Sequence, residues 1–415
     1  MSFTFSRSFC FYVVAFAIAG LTPFLLLPVL TKNMSPHSFG EVTSFVIWVG
    51  LLANIAGLCA HGFISVRFYK VDAEKFRSVV FSSIVTVAVA HLIAFILMMA
   101  AYKLIADIVS LPMNYALLAV VCSFFVSLNL QCLTIFQVNN RAELFLLARG
   151  VQALIELLFC FILLYFFTTE SSARIYSYTF AIFASSILGV FLIWRLGCVV
   201  VGNYFVDGVE LLKFSYPLIP HVLAGTALAS VDRLVVSTKL GAGSLGIYMV
   251  AMQVGMAMLI LIDPLNKSLM PWLFRQLKDG SYLTRRLIVV RTYQLFLVLI
   301  LAGIILCSVA YYCFDMFVDD RYAYSRHLIP WFVAGFVIQG MYYTQVNYLF
   351  YAERTALLSA VTTSIAIIGW GISWKLTSAY ELNGAAVSFF VNSLLLFITV
   401  WVVSSRVIPM PWKLG

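Results

Sequence analysis

FSYPLIPHVLAGTALASVDRLVVSTKLGAG, residues 214–243, is apolar from Phe214 to Val236, yet it carries His221 and, near its far end, Asp232 beside Arg233. Whether this stretch is a membrane helix decides the fold. A helix needs about 20 mostly apolar residues to cross a hydrocarbon core of ~30 Å, and the stretch meets that length. An ionisable side chain inside such a span is costly, so its presence there points to a partner or a polar cavity.

The same kind of stretch recurs along the chain. Of 415 residues, 63% are hydrophobic, 16% aromatic and only 10% charged, where a soluble domain carries roughly a quarter of charged residues. The apolar runs lack the alternation of an outer-membrane barrel, so the chain reads as all-α integral membrane protein. The net charge of +9 comes from 26 Lys and Arg against 17 Asp and Glu. These basic residues sit in short loops between apolar runs, which is the positive-inside pattern and gives no reason to expect nucleic acid as a partner. The eight cysteines contain no C-x-x-C and the five histidines no H-x-x-x-H, so no metal site or disulfide framework is expected. At the amino terminus Arg7 precedes an apolar run with Ala15-Phe16-Ala17 as a small-residue cleavage pattern. The run continues to Leu30, longer than a signal-peptide core, and reads as an uncleaved first helix.

Twelve spans are predicted: 9–30, 41–63, 79–102, 113–136, 143–167, 175–197, 214–236, 245–265, 287–314, 328–350, 356–376 and 384–405. They divide into a six-helix lobe over 1–197, a cytoplasmic linker over 198–213 and a second six-helix lobe over 214–415. With both termini in the cytoplasm, 18 of the 26 Lys and Arg fall on that side, as the positive-inside rule requires. The halves repeat weakly in parallel orientation. LTKNMSPHSFGEV matches VSTKLGAGSLGIY at an offset of 206, and Arg141 matches Arg354 at an offset of 213.

Gly241-Ala242-Gly243-Ser244-Leu245-Gly246 fits G-x-G-x-x-G, but a membrane span precedes it where a dinucleotide site needs a strand, so it reads as a tight turn. Pro23, Pro28, Pro217 and Pro220 predict bends in the first and seventh spans, either as fixed kinks or as hinges. Asn54 and His61 are seven apart and are expected on one face of the second span. Glu156 lies seven residues after Arg149, on the same face, and reads equally as half of a structural pair or as a coupling-ion site. The densest charge is a basic edge: Arg67, Lys70, Lys75 and Arg77 after the second span, and Lys267, Arg275, Lys278, Arg285 and Arg286 after the eighth. It suits anionic headgroups or a lipid diphosphate.

At Pro217, Asp232-Arg233, Leu240-Gly241 and Gly246-x-Tyr248, the stretch PLIPHVLAGTALASVDRLVVSTKLGAGSLGIYMVA resembles the corresponding region of polysaccharide repeat-unit (O-antigen, Wzx-type) flippases. These belong to the multidrug, oligosaccharidyl-lipid and polysaccharide exporter superfamily. Length, span number, the two halves and the Asn-Arg and Glu-Arg loops after the fourth and tenth spans extend the resemblance over essentially the whole chain. It implies two six-helix lobes around a central cavity lined mainly by helices 1, 2, 7 and 8. It further implies a bacterial inner-membrane protein that moves undecaprenyl-diphosphate-linked oligosaccharide from the cytoplasmic to the periplasmic leaflet by alternating access. No cofactor is expected beyond H+ or Na+ coupling, and the partners implied are membrane lipids, a polysaccharide polymerase and a chain-length regulator.

On this resemblance the substrate-binding candidates are Arg7, Asn54, His61, Arg67, Tyr216, His221, Asp232, Arg233 and Lys267, and the coupling-ion candidates Glu156 and Asp263. Related lipid II flippases place arginines inside the membrane cavity, whereas here Arg7, Arg67 and Lys267 lie at span ends. Cations suit the diphosphate, and amides and aromatics such as Trp48, Tyr216 and Tyr248 suit sugars. The alternatives are a cation-coupled multidrug exporter of the same fold and, in a different class, a membrane-embedded polymerase or glycosyltransferase. The short first loop, TKNMSPHSFGE, lacks the large or acid-rich character expected of such enzymes.

Overall fold

The computed structural model describes residues 7–167, 170–201, 204–216, 218–279 and 281–412. Its described residues form thirteen α-helices and one 3-10 turn, with no strand among them. The chain divides into two compact units, Met1–Thr226 and Ala227–Gly415.

The first unit holds α1 (Arg7–Asn33), α2 (Pro36–Ile55), α3 (Ala60–Phe68), α4 (Ala73–Val109), α5 (Met113–Val138), α6 (Ala142–Phe166), α7 (Ser171–Arg195) and α8 (Tyr204–Ser215). Local chemistry sets the helix starts. Ser35 caps α2 by accepting from the Ser38 N–H at 3.2 Å with Pro36 behind it, and Asp72 caps α4 by accepting from the Lys75 N–H at 2.8 Å. Ile64, Phe76, Val80, Cys132, Phe136, Phe145 and Ile193 interlock in the core of this unit.

The stretch expected as one second span is two helices, α2 and α3, separated at residues 56–59. Leu58 and Cys59 are left-handed, with φ of 52° and 47°. A broken helix inside a membrane frees backbone groups that must find protein partners. Here the Leu58 carbonyl accepts from Ser215 Oγ at the end of α8, and the Ala53 carbonyl, which still accepts from the Gly57 N–H at 3.1 Å, takes a second bond from Ser127 Oγ at 3.3 Å. A Cβ at Gly57 would fall 2.6 Å from Ser127 Oγ, so α5 approaches the break this closely because residue 57 has no side chain. The break also removes the helical face on which Asn54 and His61 were expected to lie together, since the chain changes direction between them.

Most of the segment expected as a linker over 198–213 is helical. Its helix, α8, packs on α3 and α4, with Gly208 against Thr86 where a Cβ would lie 2.7 Å from Thr86 Oγ1. The amphipathic order Val206, Asp207, Val209, Glu210, Leu211 explains why a segment too polar for a span still folds on the unit: Leu211 and Asp207 are both buried.

The second unit holds most of α9 (Ile219–Met256), then α10 (Met258–Asp279), α11 (Tyr282–Phe317), the 3-10 turn (Asp320–Tyr322), α12 (Ser325–Tyr351) and α13 (Thr355–Val407). Two of these helices fold back on themselves. In α9 the backbone leaves helical geometry at Gly241, φ 80° and ψ 176°. Asp232 and Tyr248, 16 residues apart and hence about 24 Å apart on a straight helix, are hydrogen-bonded across that turn. The glycine-rich motif is therefore the turn it was expected to be. In α13, 53 residues would run about 80 Å as one helix, well beyond a bilayer core. It reverses at Tyr380–Glu381, with Glu381 at φ 50°. Ser388 Oγ donates to Ser373 Oγ at 3.1 Å and Asn392 Nδ2 to the Gly369 carbonyl at 3.3 Å, pairs placed symmetrically about that break.

Nine stretches of the described residues are long and apolar enough to cross a membrane. α10 and α12 are not among them, and α12 instead packs between α11 and α13 with much of its surface buried.

The expected internal repeat is visible in the backbone. After α5, Asn140 is left-handed and the N–H groups of Asn139, Asn140 and Arg141 donate to the carbonyls of Ile135, Gln137 and Phe136. After α12, Glu353 is left-handed and Ala352, Glu353 and Arg354 donate to Tyr348, Phe350 and Leu349. Every donor and acceptor is displaced by the same offset of 213 that aligns Arg141 with Arg354 in the sequence.

In the α13 hairpin a Cβ at Gly384 would lie 1.9 Å from the Leu376 carbonyl oxygen, whereas one at Gly371 meets nothing within 4 Å. Gly384→Ala is therefore expected to destabilise by about 1–3 kcal/mol and to lower the unfolding temperature of the purified protein. Gly371→Ala is expected to leave it unchanged or slightly raised.

Candidate functional site

In the first unit the structure gathers three of the expected residues about the broken second span. Asn54 is half-buried in the last turn of α2, and His61 is exposed in the first turn of α3. Tyr216, just past α8, is 82% exposed and lines with Leu58, Lys213 and Ile219 an open groove of about 440 Å³. Arg67, in the last turn of α3, does not stand free to meet an anion. Its guanidinium bonds Glu210 of α8 at 2.7 Å and lies 5.1 Å from the Phe63 ring centre. Lys75 is held in the same way, 2.5 Å from the fully buried Asp207 carboxylate, which also accepts from Ser78 Oγ at 2.7 Å. The basic edge of this unit thus clamps α8.

Arg7 begins α1, and His221 lies in the first arm of α9; the side chains of both fall outside the described residues, as does Pro217. In the second unit Asp232 is buried and accepts from the hydroxyl of Tyr248. Arg233 is half-buried on the same arm and extends toward Ser230 Oγ at 3.5 Å. As neighbours on a helix the two point about 100° apart. Tyr248, expected as a sugar-stacking aromatic, is instead fully buried edge-on against Phe332, 4.8 Å between centres. Trp48 likewise donates its indole N–H to the Val109 carbonyl at 3.0 Å. Asp263 and Lys267, one turn apart on α10, are both exposed.

Glu156 has a partner that the sequence reading missed. Its carboxylate is 2.6 Å from Arg174 Nη2 of α7, both residues being buried, and the guanidinium lies 5.8 Å from the Tyr178 ring centre. Arg149, the expected partner, turns to Gln152 at 3.3 Å. The pair joins α6 to α7, helices that pack along their lengths. Arg174 was missed because it sits near the start of α7, eighteen residues beyond Glu156, where no helical spacing relates them. Asp207 and Glu210, by contrast, carry a readable signal, two acids three apart in an otherwise apolar amphipathic segment. No cluster of three or more metal-ligating side chains occurs among the described residues.

Comparison with known proteins places this geometry. The sequence model of a family described as "Polysaccharide biosynthesis protein" matches residues 5–277. Among curated proteins, "Lsg locus putative protein 1" of Haemophilus influenzae is 22% identical over 368 residues, covering 86% of this chain and 87% of that one. Among solved structures, an inward-facing multidrug resistance MATE family transporter of the MOP superfamily superposes with a TM-score of 0.72 at 14% identity, over 95% of this chain and 98% of that chain. The lipid II flippase MurJ in an inward closed conformation gives 0.73 at 15% identity, over 95% and 87%. The fold is that of these multi-pass membrane proteins.

Because Glu156 and Arg174 are buried together, removing one partner strands the other. Arg174→Ala is expected to cost about 3–5 kcal/mol and Glu156→Gln/Arg174→Met to recover most of that loss, read as unfolding midpoints of the purified protein. Equal destabilisation by the single and double variants would exclude the pairing.

Proposed function

The chain belongs to the polysaccharide biosynthesis protein family, and from that premise we propose that it is a flippase for undecaprenyl-diphosphate-linked oligosaccharide repeat units. It moves them from the cytoplasmic to the periplasmic leaflet of a bacterial inner membrane by alternating access. The observation that carries this reading is the family match over residues 5–277, which spans nearly all of the first unit and runs on through most of α10. The shared fold of a lipid II flippase supports it.

The physical task is consistent with such a chain. A sugar diphosphate cannot cross hydrocarbon unaided, because a buried charge and unpaired hydroxyls are each expensive. The polyprenyl tail can stay in lipid while polar side chains replace the water lost by the head group. Asn54, His61 and Tyr216, gathered at the break, are assigned to the glycan, together with His221 further along. Arg7 and Lys267 are assigned to the diphosphate. Asp232 and Arg233 serve in the hairpin that carries them, Asp232 as its internal acceptor. The coupling ion, H+ or Na+, is assigned to the exposed Asp263, because Glu156 is matched by Arg174. Both termini are assigned to the cytoplasm on the distribution of Lys and Arg. O-antigen or lipopolysaccharide assembly is the setting, with a polymerase and a chain-length regulator as downstream partners.

A second reading, a cation-coupled multidrug exporter, is favoured by the similarity to the MATE transporter. The two separate in a deletion strain. The flippase reading expects undecaprenyl-linked single repeats to accumulate on the cytoplasmic leaflet with no change in dye efflux. Accumulation on the periplasmic leaflet would point instead to a polymerase.

Within the flippase reading, Asp232→Asn removes the charge that Tyr248 meets inside the hairpin, while Lys239→Ala removes only a cation lying 3.8 Å from the centre of the Trp374 ring. Surface polysaccharide is expected to fall several-fold in the first and to stay near wild type in the second, at matched expression.

A further inference from the structure

The two corresponding basic edges of the repeat differ in how their charge is matched. In the first unit Arg67, Lys70, Lys75 and Arg77 stand with four carboxylates: Asp72 and Glu74 in the same loop, and Asp207 and Glu210 of α8. In the second, residues 267–286 carry Lys267, Arg275, Lys278, Arg285 and Arg286 against Asp279 alone. Arg275 and Lys278 are exposed one turn apart at the end of α10, and Arg286 is exposed as the fifth residue of α11, two residues of chain separating the helices. None of these three forms an ion pair with a described carboxylate, while Arg285 donates to the Pro409 carbonyl at 3.3 Å.

Topology alone would explain an excess of cations, but not what lies beside them. Tyr282 and Leu283, at the start of α11, are 66% and 77% exposed. An exposed aromatic and an exposed aliphatic side chain next to cations mark the level where headgroup meets acyl chain. A soluble anion would need only the cations. An anion carrying a hydrocarbon tail uses both.

We infer that the α10–α11 corner, through Arg275, Lys278 and Arg286 beside Tyr282 and Leu283, captures the diphosphate headgroup of a polyprenyl lipid at the membrane surface. The corresponding edge of the first unit has given up that role to hold α8. Two arginines and a lysine match the two to three charges of a diphosphate, and guanidinium forks bind phosphate oxygens in pairs. The identity of the lipid rests on the flippase reading. The site rests on the charge contrast.

The test uses the full-length purified protein in neutral detergent, titrated in parallel with undecaprenyl diphosphate lacking glycan and with phosphatidylglycerol. Arg275→Gln/Lys278→Gln/Arg286→Gln is expected to weaken undecaprenyl diphosphate binding on the order of tenfold or more and phosphatidylglycerol binding much less. Arg67→Gln is expected to leave both unchanged. The loss in wild type should grow as salt is raised, while the triple variant responds little. Arg275→Lys/Arg286→Lys, which keeps the charge but not the forks, checks that a loss is not a folding defect and should bind between wild type and the triple variant. Equal weakening for both lipids overturns the assignment to diphosphate in favour of bulk anionic lipid, and unchanged binding in the triple variant overturns the site. If wild type binds undecaprenyl diphosphate but reconstituted vesicles show no translocation of the glycan-linked form, the flippase reading fails while the capture site stands.

Discussion

A helix that stops inside a membrane must hand its freed carbonyl and amide groups to other parts of the protein, because lipid offers them nothing. The rest of this structure is arranged around that constraint. At residues 56–59 the Leu58 carbonyl is taken by Ser215 from the end of α8, while Ser127 of α5 braces the Ala53 carbonyl at the edge of the break. Ser215 is held there by α8, which packs through Leu211 and is tied by Asp207 and Glu210 to Lys75 and Arg67. A hydrogen bond at a helix break, a buried carboxylate and the neutrality of a loop are thus one connected arrangement. Changing any of them changes the others.

The same constraint accounts for the hairpins of the second unit. Each reversal puts polar groups of its two arms face to face, Asp232 with Tyr248 in α9 and the serine and asparagine pairs in α13. These bonds tie the two arms together, with Asn392 Nδ2 shared between the Gly369 carbonyl and Ser373 Oγ. The identical hydrogen-bond pattern at residues 139–141 and 352–354 marks where the two units retain common geometry. Their basic edges show where they have parted.

Much of the architecture was legible in the sequence. Apolar run length, few charges and loop cations establish a multi-pass helical protein, and an offset of 213 in a short Arg-containing loop proved to be a conserved backbone turn within the chain. What was illegible shares a cause. Periodicity reports contacts along one helix, so it suggested Arg149 for Glu156 and a common face for Asn54 and His61. The actual partner of Glu156 comes from another helix, and the common face is lost at left-handed Leu58 and Cys59, residue types that do not announce such a backbone. Hydropathy likewise read residues 198–213 as a linker because α8 is short and carries acids. Those acids make sense only once Lys75 and Arg67 stand opposite them.

The pairing of Glu156 with Arg174 bears on how the chain enters the membrane. Glu156 is ten residues before the end of α6, some 15 Å along the helix. Inserted alone, α6 would present the Glu156 carboxylate to lipid, and the Arg174 guanidinium near the start of α7 would be without it. Delivered together as a hairpin, the two charges cancel before either is left exposed. The ion pair therefore favours entry of α6 and α7 into the membrane together over entry of either alone.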